Sequence, residues 1–110
     1  MLIQGVTATG AGATTTNVLT GSLAEFIRAP SLLEIGLVDD TQGEQRVTVT
    51  SGADVLLEES SISRQARVPV YPDDFLIRDT AMPGDRLVVK VRNTGAASRN
   101  LYWAVRITEL

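Results

Sequence analysis

The sequence predicts an all-β chain folded as a single-domain antiparallel β-sandwich, with a jelly roll preferred over an immunoglobulin-like arrangement. Three observations carry this. Apolar and polar residues alternate with period 2 over most of the chain. Turn signals recur every eight to twelve residues or so, the spacing of a sandwich or barrel. No segment keeps a helical period for three turns.

The elements follow in chain order. Residues 1–22 read as an uncharged arm rich in threonine and glycine, and residues 23–110 as the sandwich domain. No charged side chain occurs before Glu25. Leu2 to Thr9 and Leu23 to Arg28 each have strand character. "GSLAEFIRA" is short and stops at Pro30, so it allows one helical turn at most. "SLLEIGLV" alternates Leu33, Ile35 and Leu37 ahead of the turn "DDTQG". "QRVTVTS" points Val47 and Val49 inward and Arg46, Thr48 and Thr50 outward, and "DVLLEE" adds Val55 and Leu57 to the buried set.

The stretch "SSISRQARVPVYPDD" is the longest break. Pro69 and Pro72 deny it a central-strand role, so it reads as a connection crossing from one sheet to the other. In "DFLIRD", Phe75 and Ile77 share a face, and "MPGD" makes the next turn. "RLVVKVRN" buries Leu87, Val89 and Val91 and turns Arg86, Val88, Lys90 and Arg92 outward. After the loop "NTGAASRN", the last strand buries Leu101, Trp103, Val105 and Ile107 and turns Tyr102, Ala104, Arg106 and Thr108 away.

The chain has 110 residues, 44% of them hydrophobic, enough for one core. It contains no cysteine and no histidine. That removes disulfides, thiolate metal sites and the commonest catalytic base. Adjacent carboxylates at Asp39–Asp40, Glu58–Glu59 and Asp73–Asp74 would face opposite sides of a strand, so they do not converge as an acid and a base. They read as solvated turns rather than calcium loops. "TGAGATTT" lacks the third glycine and the following helix of a phosphate loop. Catalysis, cofactors and metal sites are therefore not expected.

The arginines raise the question of partners. Arg86, Lys90 and Arg92 share a strand face in a chain of net charge −3, with Arg106 on another outward face. Nucleic acid would be met by such residues, but no aromatics interleave them and acidic residues lie close by. Arginine is favoured over lysine in protein interfaces. A face salt-bridged to carboxylates, serving protein partners before nucleic acid, is the expectation. No membrane span or signal peptide is legible, and the expected location is a cytoplasm or something assembled there.

"MPGDRLVVKVRNTG" resembles the turn-strand-turn of many immunoglobulin-like and related sandwich modules. The whole chain is similar to small viral structural proteins, above all single jelly-roll capsid and head-decoration proteins of bacteriophages. The shared features are the uncharged start, about eight short strands, the proline-bounded connection and a strand reaching the last residue. The chain departs from nucleic-acid-binding coats in lacking a basic arm.

The resemblance implies a virion structural protein assembled in a host cytoplasm, a capsid, vertex or cement component. Its partners would be copies of itself and other capsid proteins. Leu2, Val6, Val18 and Leu19 would then be buried against a neighbour, with the arm ordered mainly through other subunits. The alternative is a ligand-binding or adhesion sandwich, for example glycan-binding, with Tyr71 and Tyr102 as its surface aromatics.

Overall fold

A computed structural model describes residues 1–40, 44–62, 64, 69–71 and 73–110. Among these residues, eight strands form two four-stranded antiparallel sheets, ordered β1-β8-β3-β6 and β2-β7-β4-β5. They are β1 (Leu2–Thr9), β2 (Thr14–Thr15), β3 (Ser31–Asp39), β4 (Gln45–Ser51), β5 (Asp54–Ser60), β6 (Ile77–Ala81), β7 (Leu87–Asn93) and β8 (Arg99–Glu109). The pairing is nested. β4 and β5 form the innermost hairpin, and 3·6, 2·7 and 1·8 pair outward from it in turn. The connection from β5 to β6 crosses between the sheets, as expected, although residues 63, 65–68 and Pro72 within it lie outside the described residues.

Alternation predicts the core well wherever the ladder is regular. Leu33, Ile35, Leu37, Val47, Val49, Leu87, Val89, Val91, Leu101, Trp103, Val105 and Ile107 all lie inside one cluster. The sheets interdigitate these faces as aligned sandwiches do.

Four expectations are corrected. The first concerns the arm. Residues 1–22 belong to the sandwich: β1 pairs with β8 along its whole length, from Leu2↔Arg106 to Thr9↔Arg99. The chain then turns and follows β7, with Asn93 N donating to Ala13 O and Val18 N to Val89 O. Leu19 is wholly buried, and Val18 packs against the same core, so neither is available to a partner. Two asparagines fasten this segment. Asn17 Nδ2 donates to Leu87 O, and its Oδ1 accepts from Leu19 N and Val89 N. Asn93 Nδ2 donates to Thr9 O and Ala97 O. The segment's apolar residues are few, but its own chain supplies partners for the β1 groups that face β8 and for the stretch along β7.

Second, Leu23 to Arg28 is neither a strand nor a helical turn. Successive turns carry the chain past Ala24 to an isolated bridge between Phe26 and Arg86. Third, Val55 is exposed. β5 slips register twice against β4, between Val47 and Val49 and again between Val49 and Thr50. Val49 therefore pairs with Leu57, which faces inward, while Thr50 pairs with Val55, which faces out. Each bulge adds a residue and reverses the faces beyond it.

Fourth, Phe75 and Ile77 part company. Ile77 pairs with Ile35 and packs on the core, whereas Phe75 precedes β6 and is buried on the opposite side of the sheet, over Gly36. A Cβ at Gly36 would lie 2.7 Å from Pro69 Cβ and 3.1 Å from Phe75 Cδ1. Only glycine lets the crossing connection lie this close to β3. With Val38 and Ala104, these residues make a second apolar layer outside the main core.

Candidate interaction surface

The basic residues do not form one patch. β7 lies in one sheet and β8 in the other, so Arg106 faces away from Arg86, Lys90 and Arg92. Each of the three arginines has a carboxylate. Arg86 donates through Nε and Nη2 to Glu25 Oε2 at 3.1 and 2.9 Å. Glu25 Oε1 accepts from Gly21 N, and that bond, then Arg86, holds the Glu25 carboxyl below its ordinary range. Arg92 meets Glu59 at 2.8 Å, and Glu59 reaches it from a bulge with φ of 42°. Lys90 is exposed and has no carboxylate among the described residues.

Arg106 takes part in an arrangement that sequence reasoning missed. Glu34 stands on the outward face of β3, opposite Arg78 of β6 and Arg106 of β8. It is buried, 3.5 Å from Arg78 Nε and 3.2 Å from Arg106 Nη1. Tyr71 Oη lies 3.4 Å from Glu34 Oε1, its ring stacks edge-on against Phe75, and the Arg106 guanidinium sits 4.5 Å from the ring centroid. Alternation alone marks Glu34 as outward. Its two arginines come from strands 44 and 72 residues away in sequence, so no local signal joins them.

This bears on the aromatics. Tyr71 keeps 43% of its surface exposed, but Arg106 lies over its ring and Phe75 meets it edge-on, which reduces the face it could offer a sugar ring. Tyr102 is half-buried on the same outer face. Among the described residues no three Asp or Glu side chains gather as a metal site.

The sheet edges differ sharply. Unpaired strand edges are templates for further pairing, and proteins guard them with shortness, charge or bulges. The β6 edge is five residues long and carries Arg78 and Asp79. The β2 edge is two residues long. β5 has two bulges and carries Asp54, Glu58 and Glu59. β1 has none of these devices: eight residues in unbroken register, with no charge and no proline.

The backbone polarity of β1 follows from its first bonds. Met1 N donates to Ile107 O at 2.8 Å, and Ile107 N donates to Met1 O at 2.8 Å. Met1 is thus a bonded pair with β8, and so, by alternation, are Ile3, Gly5, Thr7 and Thr9. Leu2, Gln4, Val6 and Ala8 therefore turn their N–H and C=O groups to the free edge. Their side chains are exposed, Leu2 by 55% and Val6 by 51%. At the N-terminal end of this edge, Met1, Leu23, Phe26 and Ile107, with Arg28 and Glu109, line a mainly apolar cleft of about 200 Å³.

Comparison with protein-family models, curated proteins and solved structures finds no match for this chain.

Proposed function

We propose that the protein is a non-catalytic structural subunit that works by self-association, a virion capsid, vertex or cement component. One observation carries this reading. Among the described residues, the longest of the four sheet edges carries no charge, bulge or proline. Such an edge is a hazard in a chain that stays single and useful in one that assembles.

Two further observations support it. The nested 1·8, 2·7, 3·6, 4·5 pairing is how a jelly roll is wound, which favours that topology over an immunoglobulin-like one. Jelly rolls also serve in lectins and cupins. The chain has no histidine for cupin metal chemistry, and Arg106 already lies over the Tyr71 ring. The carboxylates beside Arg86, Arg92 and Arg106 weaken any pull on phosphate, so protein stands ahead of nucleic acid as partner.

The test is sedimentation of the purified chain over a wide concentration range, with electron microscopy of the product and an absorbance ratio for bound nucleic acid. Defined oligomers or particles free of nucleic acid are expected. A monomer at every concentration overturns the reading. Salt-sensitive retention of RNA or DNA overturns the choice of partner.

A further inference from the structure

We infer that the occupant of the β1 edge is the β1 edge of a second copy, paired antiparallel about a two-fold axis, so that two four-stranded sheets become one of eight strands. This rests on the self-association reading above and specifies its contact.

The argument begins with the free groups. Leu2, Gln4, Val6 and Ala8 present four N–H donors and four C=O acceptors along one line. A second copy presents the same set. In an antiparallel pair, one register satisfies all of them: Leu2 opposite Ala8 of the second copy, and Gln4 opposite Val6 of the second copy. A shift by two residues leaves the end groups unpaired. A shift by one sets free-edge groups against residues whose N–H and C=O are already bonded to β8.

Charge and shape agree with that register. β1 carries no charged side chain, so no like charges meet across the axis. On the outer face, large Leu2 falls beside small Ala8, and Val6 beside Gln4, so the exposed apolar surface of Leu2 and Val6 is covered without crowding. An isologous contact of this kind closes on itself and ends at two. Larger assemblies would then use a different surface, with the mainly apolar cleft at Met1, Leu23 and Phe26 adjoining the same edge.

The test uses the full chain, and its lack of cysteine allows single-site labelling. Nitroxides placed singly through Leu2→Cys, Gln4→Cys and Ala8→Cys read the register. The inferred pairing gives about 20 Å between the two copies at positions 2 and 8, and within about 10 Å at position 4. Parallel pairing would give one short distance at all three sites. Val6→Pro removes an edge-directed donor while sparing the bonds to β8, and should weaken dimerisation at least about tenfold. Val6→Lys is the second variant, keeping the N–H and adding a charge to the edge. Circular dichroism establishes that each variant is folded.

The expected distances together with loss of dimer in the folded variants support the inference. A wild type that associates with equal distances at all sites, or whose association both variants leave intact, overturns the β1 pairing and leaves self-association standing. A wild type that stays monomeric overturns both.

Discussion

Trp103 lies across Gly5. The two are cross-strand partners in the β1–β8 ladder, and a Cβ on Gly5 would stand 2.8 Å from Trp103 Cζ2. Two residues along β1, Thr7 Oγ1 accepts the indole N–H at 3.1 Å. The glycine leaves room for the ring, and the threonine satisfies its one polar group. Gly5→Ala should therefore overpack the site and cost about 1–3 kcal/mol. Trp103→Ala should cost about 3–5 kcal/mol, as for other large core aromatics. Denaturant midpoints would measure both, and an unchanged midpoint for Trp103→Ala would show the ring to be peripheral.

The N-terminal segment should be indispensable to the fold. Removing residues 2–20 deletes β1, uncovers one side of β7 and empties the place of Leu19. Loss of the β signal in circular dichroism is expected, where an accessory arm would leave it intact. Asn17→Ala is the milder form of the same test. It strips two backbone groups of β7, Leu87 O and Val89 N, of their partner, and should cost about 2–3 kcal/mol in urea unfolding.

Glu34 is nearly enclosed, but its arginines are about half-exposed, which screens the attraction. A double-mutant cycle on Glu34→Ala and Arg106→Ala should give a coupling of about 1 kcal/mol or less. Glu34→Ala alone should cost more than that coupling, about 1–2 kcal/mol, because it removes the carboxylate that Arg78, Arg106 and Tyr71 share. Equal values would place all of the effect in the Arg106 pair.

Glu25 should contribute to acid sensitivity. Its carboxyl is held below the ordinary value by the Gly21 N–H and by Arg86. A lowered folded-state value means that the unfolded chain binds the proton first. The stabilisation is present above the ordinary glutamate range and is lost as pH falls through the folded-state value. Glu25→Gln should therefore show a shallower decline in stability over that acid window than the wild type, with parallel curves near neutrality. Unfolding midpoints taken across the window would measure it, and identical slopes would remove Glu25 from the account.

Residue types and their spacing establish the all-β class, the inward faces of β3, β4, β7 and β8, and the break in strand character around Pro69 and Pro72. These follow from period 2 and from proline, which act locally and read directly from residue types. Tertiary structure alone decided the fate of the first 22 residues. Their composition suits a strand, but whether β8 of the same chain or of another receives it depends on pairing across almost the whole length of the chain. It alone put Val55 outside, since a bulge changes the phase of the alternation without changing any residue. It also divided the basic residues between two outer faces and brought Arg78, Glu34 and Arg106 into one row, because strands distant in sequence are neighbours only once the sheets have formed. The unguarded edge lies between the two: the absence of charge is written in residues 1–24, but which side of which strand stays unpaired is a property of the sheet order.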